Sequence, residues 1–202
     1  MAPTMWDERF SKPEYYYGTE PNAFVASQKA RLKPGWQALC PGDGEGRNGV
    51  WLAGQGLSVL SVDASEAGLR KTEELAKAKG VPIATHCADL LTWEWPQARF
   101  DLVVAVFLHV NPEMRPGLHQ AMLAALKPGG LLVLEGFRKA QVNYGTGGPR
   151  DPEMLFSAEA LASDFAEAEV LELNEVLREL AEGAIHQGTA ALVNLVARRP
   201  LT

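Results

Sequence analysis

The stretch ALCPGDGEGRNGVWLA, residues 38–53, decides the fold because an apolar run leads directly into four closely spaced glycines. The glycines stand at positions 42, 44, 46 and 49, and two patterns of cofactor-binding loop fit them. The spacing Gly42-x-Gly44-x-Gly46 is typical of loops that bind a nucleoside joined to a sulfonium centre. The spacing Gly44-x-Gly46-x-x-Gly49 is the letter pattern of a dinucleotide-binding loop. The first pattern predicts transfer of a methyl group and the second predicts transfer of a hydride.

Length, charge and cysteine content narrow the class of protein. The chain has 202 residues, with 19 basic and 25 acidic side chains and a net charge of −6, which predicts one domain and no nucleic-acid partner. The start, MAPTMWDERF, lacks the apolar segment of a signal peptide, and the apolar runs are too short for a membrane span, so we expect a cytoplasmic protein without a membrane partner. Cys40 and Cys87 are too far apart for a disulfide framework or a metal site, and both are predicted to be buried apolar side chains.

Beyond residue 35, short apolar runs alternate with helical patterns, which predicts a parallel sheet covered by helices on both faces. The predicted strands are QALCP (37–41), LSVLSVD (57–63), VPIATHC (81–87), FDLVVAVFLHV (100–110) and LLVLEGF (131–137). The predicted helices span 47–55, the stretch after Ser65 up to Gly80, and 157–165. A further helix has Leu118, Met122 and Leu126 on one face; Asn111 and Pro112 can cap and begin it, while Pro116 leaves its start open.

The last third of the chain predicts a different connection. The segment GTGGPRDP (145–152) is a loop, because it is rich in Gly and Pro. Two strands, 169–180 and 189–199, are separated by AEGAIHQG (181–188), which is too short for a crossover helix, so they pair antiparallel. The fold class is therefore α/β, a Rossmann-like sheet of seven mostly parallel strands with a reversed last strand.

The chain before the first strand is an N-terminal extension, residues 1–35, and residues 36–202 form the Rossmann-like core of the same single domain. The extension contains six aromatic residues, including the run YYYG at 15–18. So many aromatic side chains need a surface to cover, and the open carboxyl edge of the sheet is available. We expect the extension to be partly helical and to act as a lid.

Charged residues within the glycine-rich stretch favour one of the two loop patterns, and acidic residues after it indicate a nucleoside ligand in either pattern. Asp43 and Glu45 would repel a pyrophosphate but are compatible with a cationic ligand, which favours S-adenosylmethionine over a dinucleotide. Asp63 ends the second strand, where an acidic side chain can accept hydrogen bonds from ribose hydroxyls, although it can also cap the following helix. Asp89 follows the third strand at the same edge and can accept from an adenine amino group or simply form a turn.

Five segments occur in the order and spacing of one family. LCPGDGEGRN, LSVDAS, CADLL, FDLVVAVFLHV and LKPGGLLVLEGF resemble the motifs of the class I S-adenosylmethionine-dependent methyltransferases and cover residues 38–137. The opening, WDERFSKPEYYYGTEPNAFV, resembles the start of the tellurite-resistance and thiol-methyltransferase-like branch. The sequence departs from the usual motif at Pro41 and Asp43, on either side of Gly42.

The resemblance implies roles for individual residues. Glycines 42, 44 and 46 would line the methionine and ribose parts of the cofactor, with Asp43 at the methionine amino group. Asp63 would hold the ribose hydroxyls and Ala64 would lie against the adenine. The remaining cofactor-binding residues would be Asp89 and Leu90 at the adenine edge and Phe107 and Leu108 beneath the methionine tail.

The methyl acceptor depends on whether a general base is present. A soft anion such as a thiolate or a metalloid oxyanion needs no base, whereas a neutral hydroxyl or amine usually does. The candidate catalytic residues are His109, at the end of the fourth strand, His186, in the predicted hairpin turn, and Tyr17, in the wall of the pocket. A basic cluster near the glycine-rich loop YGTGGP (144–149), consisting of Arg138, Lys139 and Arg150, can attract a small anionic acceptor or can simply be solvated.

Three functions remain open from the sequence. The favoured one is an S-adenosylmethionine-dependent methyltransferase acting on a small molecule, without a metal. The chain has no NPPY-type tetrapeptide after the fourth strand, which speaks against a nucleic-acid amino group as acceptor. The alternatives are an NAD(P)-dependent oxidoreductase, from the Gly44–Gly49 spacing, and a non-catalytic module that binds S-adenosylmethionine.

Overall fold

The computed structural model describes residues 5–201 as helices packed on a sheet. The strands are β1 (Gln37–Pro41), β2 (Ser58–Asp63), β3 (Ala84–Cys87), β4 (Phe100–Val106), β5 (Leu126–Phe137), β6 (Glu169–Glu182) and β7 (His186–Arg198). The helices are α1 (Met5–Phe10), α2 (Ala23–Ser27), α3 (Arg47–Gly54), α4 (Glu66–Lys79), α5 (Arg115–Ala125) and α6 (Ala158–Asp164).

The strands form one sheet in the order β3-β2-β1-β4-β5-β7-β6. β2 pairs in parallel with β1 and with β3, and β4 pairs in parallel with β5. β7 runs antiparallel to β5, with Leu134 opposite Leu195. The predicted fold class, a mostly parallel seven-stranded α/β sheet with a reversed last strand, is confirmed.

The described chain divides into two compact units. The first extends up to Trp93 and includes Glu182–Ala184, and the second holds Glu94–Ala181 and the chain from Ile185 onward. The first unit contains the glycine-rich stretch, β1 to β3 and α1 to α4. The division into an extension (1–35) and a core (36–202) of one domain stays a prediction.

Helix α4 shows how local sequence sets the bounds of an element. Ser65 is its N-cap, because its hydroxyl accepts a hydrogen bond from the amide of Gly68. Gly80 ends the helix in the left-handed conformation, with φ of 68°, which glycine adopts without steric cost. Both ends agree with the prediction because each depends on a residue within one turn of the helix.

The boundaries around β4 and β5 differ from the prediction. β4 ends at Val106 because Phe107 has a φ of 53°, so the predicted strand through Val110 was too long. α5 begins at Arg115, after a turn in which the carbonyl of Asn111 accepts from two amides, and not at Asn111 or Pro112. Leu126, predicted on a helical face, is the first residue of β5.

The predicted position of His186 in a hairpin turn and the predicted burial of Cys87 were also wrong. Only residues 183–185 separate β6 from β7, so His186 is the first residue of β7 and is buried, not part of a turn. Cys40 is buried as predicted, but Cys87 is exposed, because it ends the outermost strand β3. Strand β3 is also shorter than the predicted segment 81–87.

The described part of the N-terminal extension is partly helical, as predicted, with α1, α2 and a 3-10 turn at Gln28–Arg31. Its first four residues lie outside the described residues. None of the helices within residues 5–201 combines the length and the apolar character needed to cross a membrane.

Candidate functional site

The glycine loop (residues 42–46) connects β1 to α3 and owes its shape to three glycines. Gly42, Gly44 and Gly46 have φ values of 65°, 60° and 82°, in the left-handed region that favours glycine. At Gly46 a side chain is also excluded by space, because an added Cβ would lie 2.4 Å from a methyl carbon of Thr72. Gly49, the fourth glycine, lies inside α3. The loop is therefore bent by the glycines of the first pattern, at 42, 44 and 46.

The carboxylate of Asp43 points into the protein and caps α3. Its Oδ2 accepts hydrogen bonds from the amide of Gly49 at 3.2 Å and from the hydroxyl of Ser61 at 2.9 Å. Gly49 is needed for this contact, since a Cβ there would lie 2.4 Å from Asp43 Oδ2. Burial raises the pKa of Asp43 from 3.8 to about 7, while the two hydrogen bonds act in the opposite direction.

This capping changes the interpretation of Asp43. A dinucleotide-binding loop presents the amides at the start of its helix to a pyrophosphate, and here a carboxylate already occupies an amide of that first turn. The bond between Asp43 and the amide of Gly49 thus disfavours a phosphate ligand at the start of α3. It also argues against the expected contact between the Asp43 side chain and the amino group of a methionine moiety.

The second acidic residue of the loop, Glu45, is likewise turned away from the loop surface. Its side chain is 3% exposed and forms an ion pair with Lys71 of α4, at 2.7 Å between Oε1 and Nζ. Its Oε2 accepts from the amide of Tyr16 at 2.7 Å. This ion pair argues against direct repulsion of a phosphate by Glu45, because its charge is balanced inside the protein.

Asp63, at the end of β2, joins the glycine loop to the start of α4. Its Oδ2 accepts from the amide of Gly44 at 2.8 Å and its Oδ1 from the amide of Ser65 at 2.9 Å. Burial raises the pKa of Asp63, and the hydrogen bonds from backbone amides lower it in part. The carboxylate thus fixes the loop and caps the turn before α4.

The predicted adenine-side residues follow β2 and β3. Ala64 is half-buried, and its carbonyl accepts a weak hydrogen bond from Cys87 at 3.6 Å. Asp89 is exposed and closes a turn by accepting from the amide of Leu91, and Leu90 is half-buried between them. The turn-forming role of Asp89 is therefore present, and contact of these residues with adenine stays a prediction.

Tyr17, a predicted catalytic residue, lies in the extension close to the glycine loop. Burial raises the pKa of its hydroxyl from 10.0, and a hydrogen bond from Arg9 opposes this rise. The ring packs edge-on against Phe10. A tyrosine with a raised pKa keeps its proton near neutral pH, which argues against Tyr17 as a general base.

In the second unit, an aromatic cluster follows the end of β4. Phe107 stacks on Phe137 with ring centroids 4.5 Å apart, and His186 meets Phe107 edge-on at 4.8 Å. Leu108 is half-buried beside them in sequence. The left-handed backbone of Phe107 is uncommon for a bulky residue and is the kind of strain that proteins retain at functional sites.

His109 is held by the backbone at both ring nitrogens. Nδ1 lies 2.9 Å from the carbonyl oxygen of Met154, so it carries the proton and donates it, while Nε2 accepts from the amide of Phe137 at 3.1 Å. Burial lowers the pKa of His109 from 6.5 to about 4, so the ring is neutral at physiological pH. This arrangement argues against His109 as a general base and gives it a structural role.

A glycine-rich loop covers part of the aromatic cluster. An added Cβ at Gly147 would lie 2.8 Å from His186 Cδ2, and one at Gly148 would lie 2.9 Å from the ring of Phe137. Gln141 anchors this loop by donating to the hydroxyl of Thr146 at 2.8 Å and to the carbonyl of Gly147 at 3.1 Å. The close approach therefore requires residues without side chains.

The basic cluster predicted near this loop is largely neutralised. Arg138 pairs with Glu175 at 3.4 Å and Lys139 pairs with Glu153 at 3.6 Å. Arg150 is exposed. The structure therefore gives little support to an anion-attracting role for Arg138 and Lys139.

Sequence reasoning missed two groups of polar residues that shape these sites. Lys71 lies on the same face of α4 as Ala67 and Leu75, so a lysine in an apolar stripe was the available signal. Gln141 and Thr146 are buried polar residues in a segment that reads as an ordinary loop, and no pattern in the sequence marks them.

Part of the chain is similar in sequence to known methyltransferases. Residues 38–130 match the family model described as "Methyltransferase domain". Thiocyanate methyltransferase 1 of Brassica oleracea is 37% identical over 103 residues, which cover 48% of this chain and 44% of that protein. Probable thiol methyltransferase 2 of Arabidopsis thaliana is 32% identical over 122 residues, covering 57% and 51%. The chain thus spans about half the length of the curated relatives it matches.

Two solved structures share the fold over nearly the whole chain. One, described as "Conversion of a Disulfide Bond into a Thioacetal Group during Echinomycin Biosynthesis", has a TM-score of 0.77 at 21% identity, covering 97% of this chain and 88% of that one. The other, TehB from Haemophilus influenzae, has a TM-score of 0.74 at 22% identity, covering 96% and 67%. At these identities the likeness shows the fold alone.

Proposed function

We propose that the chain transfers a methyl group from S-adenosylmethionine to a small molecule, because residues 38–130 match the methyltransferase-domain model and the chain shares its fold with the solved structure of TehB. The observation that carries the proposal is the glycine loop, in which Asp43 caps the first turn of α3. An amide bonded in this way is not available to a pyrophosphate, which favours a ligand without phosphates over a dinucleotide.

The residues of the first unit fit the cofactor. At Gly44 and Gly46 the place of a side chain is taken by Phe10 and Thr72, so these glycines give the loop its shape, and a ligand would meet the loop through its backbone. A carboxylate has about four lone-pair positions, so Asp63 keeps acceptor capacity for a ribose hydroxyl beside its bonds to Gly44 and Ser65. S-adenosylmethionine would supply a methyl group that its sulfonium has already activated for displacement.

The favoured acceptor is a soft anion, such as a thiolate or another small sulfur or metalloid anion. Two of the three candidate bases are unsuited, because His109 has both nitrogens bonded to backbone and Tyr17 keeps its proton. A thiolate is nucleophilic without a base, so the chain has only to align it and exclude water. The names of the matched relatives, a thiocyanate and a thiol methyltransferase, support the same class.

Binding and transfer assays test the proposal. Calorimetry is expected to show micromolar binding of S-adenosylhomocysteine and negligible binding of NAD or NADP. Transfer of labelled methyl is then measured with an aryl thiol, thiocyanate, selenite, a carboxylate and an alcohol, and we expect transfer to the soft anions. Tight NAD binding would replace the proposal with the oxidoreductase, and binding without transfer would leave a non-catalytic module.

A matched pair of glycine variants controls the binding assay. Gly46→Ala places a Cβ within 2.4 Å of Thr72, so we expect loss of S-adenosylhomocysteine binding. Gly54→Ala, at the last residue of α3, has no neighbour within 4 Å and should bind normally. Equal binding by both variants would show that the loop does not form the cofactor site.

A further inference from the structure

Lys71 is a buried cation that touches both the glycine loop and the N-terminal extension. Its Nζ donates to Glu45 Oε1 at 2.7 Å and to the carbonyl of Glu14 at 2.6 Å. The ammonium also lies 5.1 Å from the ring centroid of Tyr15, whose hydroxyl donates to the carbonyl of Lys71. A charge buried in this way is retained only with partners, so the two elements that it joins depend on each other.

The tyrosine segment (Glu14–Tyr17) completes the coordination of Glu45. The amide of Tyr16 donates to Glu45 Oε2 at 2.7 Å, and the amide of Tyr17 approaches the same oxygen at 3.4 Å. One carboxylate of the glycine loop is therefore bonded to a helix lysine and to the backbone of the extension. Displacing the tyrosine segment would leave buried polar groups of the loop without these partners.

Further contacts of the extension reach the same part of the first unit. The ring of Phe10 lies against Gly44, since a Cβ there would be 3.1 Å from Phe10 Cζ. Asp7 accepts from the hydroxyl of Ser65 at 2.7 Å, at the start of α4. The extension is thus attached to both residues that Asp63 holds, namely Gly44 and Ser65.

We infer that Lys71 is a positioning residue that couples docking of the tyrosine segment to the shape of the glycine loop, so that docking and cofactor binding support each other. This inference rests on the proposed function. Without the lysine, Glu45 would be a buried carboxylate without a counter-charge and would turn towards water. The amides of Tyr16 and Tyr17 then lose their acceptor and the loop loses a support on its outer side.

Three variants separate coupling from ordinary structural loss. Lys71→Met removes the charge, and Lys71→Met/Glu45→Gln removes both charges while keeping an acceptor for Tyr16. Lys79→Met is the matched control, because Lys79 also lies on α4 and also pairs with the extension, at Glu20, but is exposed. Each is measured by calorimetry with S-adenosylhomocysteine and by hydrogen exchange of residues 14–17 without ligand.

We expect Lys71→Met to weaken S-adenosylhomocysteine binding by about tenfold or more and to speed exchange in the tyrosine segment. The KM for S-adenosylmethionine should rise while kcat at saturating cofactor is kept, which a partly unfolded sample would not show. The double variant should recover to within about threefold of the original affinity, and Lys79→Met should match the original protein.

The outcomes are distinguishable from failure of the proposed function. Failure of the unaltered chain to bind S-adenosylhomocysteine would overturn the function, while the exchange measurement would still test whether Lys71 holds the segment on the loop. Normal affinity and normal exchange in Lys71→Met would overturn the inference. If Lys71→Met does not fold, the test rests on the double variant Lys71→Met/Glu45→Gln. The inference is also overturned if that variant folds and keeps slow exchange in residues 14–17 but binds S-adenosylhomocysteine weakly.

Discussion

Replacement of Asp43 by asparagine tests the interpretation that its carboxylate is an internal helix cap. Burial raises the pKa of Asp43 from 3.8 to about 7. Between about pH 4 and pH 7 the folded protein therefore keeps a proton at Asp43 that the unfolded chain has released. The stability that this proton contributes is fully present below about pH 4 and is lost as the pH rises through about 7. Each pH unit in between is worth about 1.36 kcal/mol, so the total is about 4 kcal/mol.

Asp43→Asn removes this titration and keeps an oxygen that can accept from Gly49 and Ser61. We therefore expect the free energy of unfolding of the original protein, relative to the variant, to fall by about 4 kcal/mol between about pH 4 and pH 8. Urea unfolding across this range measures it, and the pH dependence is the readout because an imperfectly bonded amide only adds a constant. Glu66→Gln, at an exposed carboxylate on α4, controls for charge. A difference that does not vary with pH would refute the reasoning.

Three other substitutions test the remaining contacts. Asp63→Ala leaves the buried amides of Gly44 and Ser65 without an acceptor, so we expect a loss of about 2–4 kcal/mol in unfolding free energy together with weaker S-adenosylhomocysteine binding, measured by urea titration and calorimetry. His109→Phe should cost about 2 kcal/mol of stability but leave the pH dependence of kcat with a thiol acceptor unchanged. Gly147→Ala, whose Cβ would lie 2.8 Å from His186 Cδ2, should lower the free energy of unfolding by about 1–3 kcal/mol, as urea titration will show.

Each of these three predictions would be contradicted by a specific result. Normal stability in Asp63→Ala would mean that the loop does not depend on this carboxylate. A pH–rate profile that loses one limb in His109→Phe would restore His109 as a base. Normal stability in Gly147→Ala would mean that the loop around Gly147 does not depend on its close approach to His186.

Predictions from the sequence were accurate where the structure of a segment depends on residues within the same element or turn. The cap at Ser65 and the stop at Gly80 depend on neighbours within a helical turn, and both ends of α4 are confirmed. The end of β4 was missed because a continuous apolar run does not show where the backbone leaves the extended conformation. That point is set by Phe107, which takes a φ of 53° and stacks on Phe137 thirty residues later in the chain.

The sequence by itself determined the succession of strands and helices along the chain and the glycine spacing that bends the loop, because these depend on local periodicity and backbone sterics. It also showed which acidic residues lie in and near the loop. Only the tertiary structure decided where those acidic side chains point. Asp43 meets Ser61 18 positions away, and Glu45 meets Lys71 26 positions away. A carboxylate in a loop has several directions open to it, and its choice is fixed by donors that folding brings close from distant parts of the chain, since a buried charge is stable only with such partners.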